Sequence, residues 1–377
     1  AEIIELIRKE VKPALGCTEP IAVALAVAKA MEIIEEKYAL EATWRMGRDY
    51  GLRVEVSGNI LKNGMGVGIP GTGMVGLHIA AALGAVCGRS EYGLEVLNDL
   101  DEASIAHAKE LVEEKSVTIG LAETSLKLYV KAYVDYNGHC ASAVIENDHD
   151  NIVETSLDGT VLTSSRRDTG AECPDQKTTL DYHLTVKEIV DFASTVAYED
   201  IAFILESRTL NLALAKEGLS GKYGLKVGYA INLDDNREVF GGDFLCYAMS
   251  LTAAASDARM AGCTLAAMSN SGSGNQGICA TNPVVVFARE NHNTQEELTR
   301  ALMLSHLTAI YIKQSLGRLS ALCGCVVAST GSSCGITYLM GGQYEQVAYS
   351  VKNMIANLAG MVCDGAKPSC ALKVSSG

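Results

Sequence analysis

SLKLYVKAYVDYNGHCASAVIEND, Ser125 to Asp148, alternates apolar and polar residues on either side of Asn137 and Gly138. Period-two alternation marks a strand with one buried face, and Asn-Gly suits the left-handed positions of a two-residue hairpin turn. A β-hairpin is therefore expected near the middle of the chain. Upstream, LRVEVSGNILKNG from Leu52 also begins with period two, while GLHIAAALGAVCG (76–88) and DEASIAHAKELVEEK (101–115) carry apolar residues at helical spacing. The middle of the chain thus reads as α+β.

Toward the N-terminus, residues 1–42 read as two helices broken by KPALGCTEP, because the position before Pro13 avoids the α region. Thr18 suits an N-cap and Pro20 a first helical turn, which puts Cys17 at a helix N-terminus. Toward the C-terminus, residues 158–181 are polar and patternless, and the domain boundary is expected there. From TVKEIVDFA (185–193) onward almost everything reads as Ala-rich, Gly-punctuated helix. The expected fold class is α+β. A mostly helical main domain is built from the N-terminal helices and the C-terminal half, with a smaller α+β sandwich domain in the middle. The segments are 1–42, N-terminal helices packing on the main domain; 43–180, the α+β domain; and 181–377, all-helical.

With 377 residues, of which 48% are hydrophobic, the chain can bury a core in each of two domains. Its 31 basic and 45 acidic residues leave a net charge of −14, with no basic cluster of the kind that grips nucleic acid. No nucleic-acid partner is expected. An anionic ligand would need a local device, such as a helix N-terminus or one placed Lys or Arg. Apolar runs such as Ile21 to Ala28 are shorter than the roughly 20 residues of a membrane span. The charged amphipathic start lacks signal-peptide features, so no membrane partner and a cytoplasmic setting are expected. In a reducing compartment, 12 cysteines are small buried residues or chemical groups, not a disulfide framework.

GVGIPG (66–71) matches the dinucleotide-binding pattern, but no strand leads directly into it and a proline fills a variable slot, so it reads as a packing or substrate-edge loop. SNSGSGNQGI (269–278) is more informative. Between helical runs, such a loop offers backbone N–H groups and small polar side chains able to hold a carboxylate. It resembles the substrate-carboxylate loop of pyridoxal-phosphate dehydratases, yet the nearest upstream lysine, Lys226, stands outside any matching motif. Zinc knuckles are absent, since no close cysteine pair recurs. The last helical region does supply a set of thiols, Cys323 or Cys325, Cys363 and Cys370, and three ligands on an iron–sulfur cluster leave one iron open as a Lewis acid.

RLSALCGC, GGQYEQV and CDGAKPSC, with KPALGCTEP at the start and SGSGNQGI between, resemble the L-cysteine desulfidases, relatives of the iron–sulfur L-serine dehydratase alpha chain. The likeness spans nearly the whole chain in the family's motif order. It implies a [4Fe-4S] cluster on Cys323, Cys363 and Cys370 within an iron–sulfur catalytic domain at 181–377. Cys323 is preferred to Cys325 because it suits the family's spacing to Gly341 and Gly342. The resemblance gives Cys17 the role of catalytic acid/base, and a helix N-terminus favours a thiolate there. Ser271, Ser273 and Asn275 are the expected contacts of the substrate carboxylate.

The expected reaction is β-elimination of L-cysteine to pyruvate, sulfide and ammonia. Alternatives are an L-serine dehydratase with the same cluster, a pyridoxal-phosphate lyase, or a non-enzymatic iron–sulfur or thiol redox sensor. The expected partner is a small amino-acid substrate, and a homodimer is expected by base rate. Asp364 and Lys367 read either as a solvated loop charge pair or as groups that tune the cluster's charge or contact substrate, and His306 as a hydrogen-bonded packing residue.

Overall fold

The computed structural model describes residues 2–165, 183–241, 244–316 and 320–377. Among them eight strands follow the chain: β1 (Pro13–Ala14), β2 (Tyr50–Val56), β3 (Val117–Leu121), β4 (Tyr129–Tyr136), β5 (His139–Glu146), β6 (Ile152–Leu157), β7 (Thr160–Ser164) and β8 (Ala267–Met268). The β4–β5 hairpin closes as expected, Asn137 and Gly138 both taking positive φ, 49° and 80°. Val130, Ala132 and Val134 face Ile145, Ala143 and Ala141 across the ladder, and all six are fully buried. The period-two pattern therefore set the register, because a one-residue slip would turn this face to water.

The chain divides into two compact units, Cys17–Glu172 and a larger one of Ala1–Gly16 with Cys173–Gly377. In the first, a six-stranded mixed sheet runs in the order β3-β2-β4-β5-β6-β7, with only β2 and β3 parallel. Helix Thr18–Tyr38 packs on β4 and β5 and on helix Leu77–Val86. A Cβ on Gly84 would come within 2.4 Å of the Ala24 carbonyl oxygen, so these helices touch backbone to backbone. Leu25, Met31 and Ile34 are fully buried, each worth about 2 kcal/mol of transfer free energy.

Helix Thr18–Tyr38 thus counts with the sheet, and the division falls at Gly16/Cys17 instead of after residue 42. Buried residues occupy nearly all of its first 14 positions, so it can serve a sheet as well as a bundle. Thr18 is its first helical residue and Cys17 its N-cap, with no side-chain cap bond. The expected boundary at 180/181 lies outside the described residues. GVGIPG lies in a loop between helices Gly58–Gly64 and Leu77–Val86, with no strand leading into it. That arrangement is not the strand–turn–helix of a dinucleotide site.

The larger unit is a helical assembly whose only paired strands among the described residues are β1 and β8, with Pro13 opposite Met268 and Ala14 opposite Ala267. Leu6 and Ile7 of the first helix, Glu2–Glu10, and Val11 just beyond it share its core with Ile189, Leu302, Leu304 and Leu307. The short β1–β8 pairing extends into the next turn, where Ser271 N–H donates to the Glu10 carbonyl at 2.9 Å and Ser269 N–H to that of Lys12, also at 2.9 Å. No described helix is long and apolar enough to cross a membrane.

Candidate active site

Asn270 and Ser273 exchange two backbone hydrogen bonds of 3.0 Å, closing a turn in which Ser271 and Gly272 have φ of 48° and 78°. A serine in this left-handed region is uncommon, and it is held here. Its N–H donates to Glu10 and its hydroxyl to Asn270 Oδ1 at 2.9 Å. Ser273 caps helix Gly274–Glu290 by accepting from Gln276 N–H at 3.3 Å. A Cβ on Gly277 would meet the Met268 carbonyl oxygen at 1.9 Å, so the helix start is pressed against β8. Of the three expected carboxylate contacts, Ser273 and Asn275 stand at the helix start, while the Ser271 hydroxyl is turned to Asn270.

His306, fully buried on helix Gln295–Leu316, stands behind this turn. Asn270 Nδ2 lies 3.1 Å from its Nδ1 and donates to its carbonyl, also at 3.1 Å. Thr281 Oγ1 lies 3.1 Å from its Nε2 and donates to the Gly277 carbonyl at 2.8 Å. The Thr281 proton is thereby committed, so His306 carries its own proton on Nε2 and accepts at Nδ1. Burial pushes its pKa down to about 3, which rules it out as an acid or base near neutrality. It fixes Asn270, whose Oδ1 also accepts from Gln276 Nε2 at 2.7 Å.

The linkage gives a first prediction. Between about pH 6.5 and 3 the unfolded chain binds a proton at this histidine that the folded chain does not. Stability is full above pH 6.5 and falls as pH drops toward 3, by on the order of 4 kcal/mol. Urea unfolding from pH 7.5 to 4.5 should show this slope, and His306→Gln should flatten it. An equal slope in the variant would contradict the assignment.

Arg259, near the end of helix Phe244–Met260, lies across Gly274. A Cβ there would be 2.1 Å from its Nε, so only glycine admits the guanidinium. Arg259 is 5% exposed, and its Nη2 donates to the Gly16 carbonyl at 2.9 Å. Its Nε, the Asn275 Oδ1 and the Gln276 Oε1 are all buried without a hydrogen-bond partner.

The expected cysteine set gathers in the same unit. Cys323 N–H donates to the Met361 carbonyl at 3.0 Å and Cys363 N–H to that of Ala321 at 2.8 Å, around the Leu322–Val362 bridge. Cys323 and Cys363 thus flank one two-stranded crossing, and Cys370 lies within electrostatic reach of both. Cys323 is the N-cap of helix Gly324–Leu339. The neighbouring Cys325 thiol and burial push its thiol well up, and burial raises that of Cys370. Cys325 is raised chiefly by Cys279, a buried thiol that sequence reading passed over.

Among the described residues no three His, Cys, Asp or Glu side chains close around a single-ion site. A four-iron cluster takes each thiolate on a different iron, so it asks for an all-sulfur set spread over a larger volume. The donor chemistry fits, since crowded, buried thiols keep their protons until a cation displaces them. Asp364 is paired with Lys367 at 2.7 Å and with Lys373, which hold its carboxyl well below the usual range. The expected solvated pair is therefore a three-charge staple across the Cys363–Cys370 loop.

Gly324, between Cys323 and Cys325, joins the two halves of the site. A Cβ there would lie 3.2 Å from Gln276 Oε1 and 3.8 Å from Ser273 Oγ. The start of the cysteine-bearing helix thus abuts the start of the helix that follows the polar turn.

Cys17 opens the other unit, one peptide bond after Gly16. Its buried thiol donates to Glu19 Oε2 at 2.8 Å, while Asn63 Nδ2 donates to Glu19 Oε1 at 2.9 Å. Burial would raise the Glu19 carboxyl, but His149, Cys17 and Asn63 outweigh it and hold the pKa below the ordinary value. The helix N-terminus alone suggested a thiolate; the structure adds a carboxylate that accepts a hydrogen bond from the thiol. Glu19, Asn63, His149 and Arg259 were not singled out from the sequence. Glu19 stands inside a quoted motif, and Arg259 is a buried cation near the end of an Ala-rich helix. Lys226 is exposed at the head of helix Val227–Asn232, a poor setting for a Schiff-base lysine.

A family model described as serine dehydratase alpha chain matches residues 91–377. The chain is 52% identical over 378 residues to a UPF0597 protein of Phocaeicola vulgatus, covering 100% of this chain and 84% of that protein. It is 53% identical over 377 residues to one from Bacteroides thetaiotaomicron, with coverage of 100% and 84%. A UPF0597 protein of Oleidesulfovibrio alaskensis is 49% identical over 374 residues, with coverage of 99% and 84%.

Proposed function

Because the chain belongs to the serine dehydratase alpha chain family, which is generally iron–sulfur dependent, we propose that it is a lyase eliminating the β-substituent of a small L-amino acid. L-cysteine is the leading substrate, giving pyruvate, sulfide and ammonia. The observation that carries this reading is the abutment at Gly324, where a polar helix start meets the thiols. Cys323, Cys363 and Cys370 would hold a [4Fe-4S] cluster, which supplies a Lewis acid that polarises the leaving group.

The chain's own residues do the remaining work. The start of helix Gly274–Glu290, with Ser273 and Asn275, receives the substrate's charged head. Asn270, held by His306, keeps Ser271 and Gln276 in place and spares the turn any rearrangement on binding. Cys17, oriented by its 2.8 Å hydrogen bond to Glu19, takes the Cα proton in its thiolate form. The aminoacrylate that leaves tautomerises and hydrolyses to pyruvate and ammonia.

Two features choose between substrates. A soft thiolate leaving group suits iron, whereas the family description favours L-serine. After anaerobic iron–sulfur reconstitution, L-cysteine should yield pyruvate and sulfide in equal amounts, faster than L-serine yields pyruvate. Turnover of serine alone would move the substrate. Cysteine turnover indifferent to iron chelation would defeat the cluster.

A further inference from the structure

We infer that Arg259 is the cation that recognises the substrate's α-carboxylate, and that Asn275 Oδ1 accepts from its α-ammonium. This assignment rests on the amino-acid reading above and specifies how the head group is selected. Arg259 is 5% exposed and lacks an ion-pair partner among the described residues. Its one described hydrogen bond goes to a neutral carbonyl, and its Nε has no partner. A buried guanidinium left without a counter-charge is costly unless a ligand supplies the anion. The nearest acidic residue along its helix, Asp257, is engaged elsewhere, accepting from Gly228 N–H at 3.0 Å.

Position makes the ligand specific. The guanidinium crosses Gly274, the first residue of the 17-residue helix after the polar turn, so the helix start and the cation act on the same anion. One residue on, the Asn275 Oδ1 is buried and without a donor. An unmet donor next to an unmet acceptor is the complement of a zwitterion, and a simple anion would leave the acceptor orphaned. The preferred ligand class is therefore an α-amino acid with free carboxylate and ammonium.

The test uses two thiols that each lack one head group and do not undergo the elimination. 3-Mercaptopropionate keeps the carboxylate and cysteamine keeps the ammonium. Both are titrated calorimetrically into the full chain after anaerobic reconstitution. Arg259→Met should weaken 3-mercaptopropionate roughly ten- to a hundredfold and leave cysteamine within about twofold. Asn275→Leu should do the reverse, and Arg259→Lys should recover part of the carboxylate affinity. Equal weakening of both probes in Arg259→Met would mean a purely structural role and overturn the assignment, as would a wild-type chain that binds neither. Because no turnover is read, the two proposals fail separately. The expected pattern without pyruvate formation removes the lyase and keeps Arg259, while normal turnover with equal weakening removes Arg259 alone.

Discussion

Changing any one of Cys323, Cys363 and Cys370 to serine should strip the anaerobically reconstituted chain of iron and lower turnover by more than about a hundredfold, since losing a mere outer-shell partner already costs 10–100-fold. Cys323 and Cys363 are fixed by reciprocal backbone bonds around the Leu322–Val362 bridge, and Cys370 lies within reach of both. Asp364, tied to Lys367 and Lys373, closes the loop that carries the last two. Cys325→Ser is the internal control. That thiol is fully buried beside Cys279, so its loss should leave iron per chain near the wild-type value. Iron retained in Cys363→Ser, or lost only in Cys325→Ser, would reassign the ligands.

Cys17→Ala should lower kcat by about two to four orders of magnitude, the usual contribution of a positioned acid or base, while iron content and the affinity for 3-mercaptopropionate stay near wild type. Glu19→Gln should have a smaller effect, because the amide still accepts the thiol hydrogen bond that orients Cys17. Its pKa direction also sets a stability trend. The Glu19 carboxyl titrates below its ordinary value of 4.5, so its contribution is present above that pH and is lost as acidification passes through the folded pKa. A Cys17→Ala chain with full kcat would remove the thiol from proton transfer.

Local signals carried the elements that local chemistry dictates. The alternation around Asn137–Gly138 specified a hairpin because its side-chain period and turn backbone agree. The Ser/Gly/Asn run at 269–277 advertised a polar helix start, because few other residues accept left-handed turns and expose N–H groups. The cysteine trio was proposed only through resemblance, since spacings of 40 and seven residues encode no geometry by themselves.

What escaped was tertiary. Arg259 ends an Ala-rich helix, where a basic residue is ordinary for the macrodipole. Only the crossing over Gly274 turns it into a buried cation. Glu19 reads as a first-turn acid, also ordinary, until Asn63 and His149 are seen around it. Helix Thr18–Tyr38 was expected with the helical domain, yet small residues such as Ala24 let it lie on helix Leu77–Val86 and so with the sheet. Its start was placed one residue late, a displacement common at helix ends.

Anomalous scattering at the iron edge, from a crystal grown and frozen without oxygen, tests the central claim most directly. The account predicts one compact group of irons bonded to the sulfurs of Cys323, Cys363 and Cys370, with one iron that no protein side chain ligates. Iron seated on other residues, or an iron-free trio in an anaerobically prepared and catalytically active crystal, would contradict it.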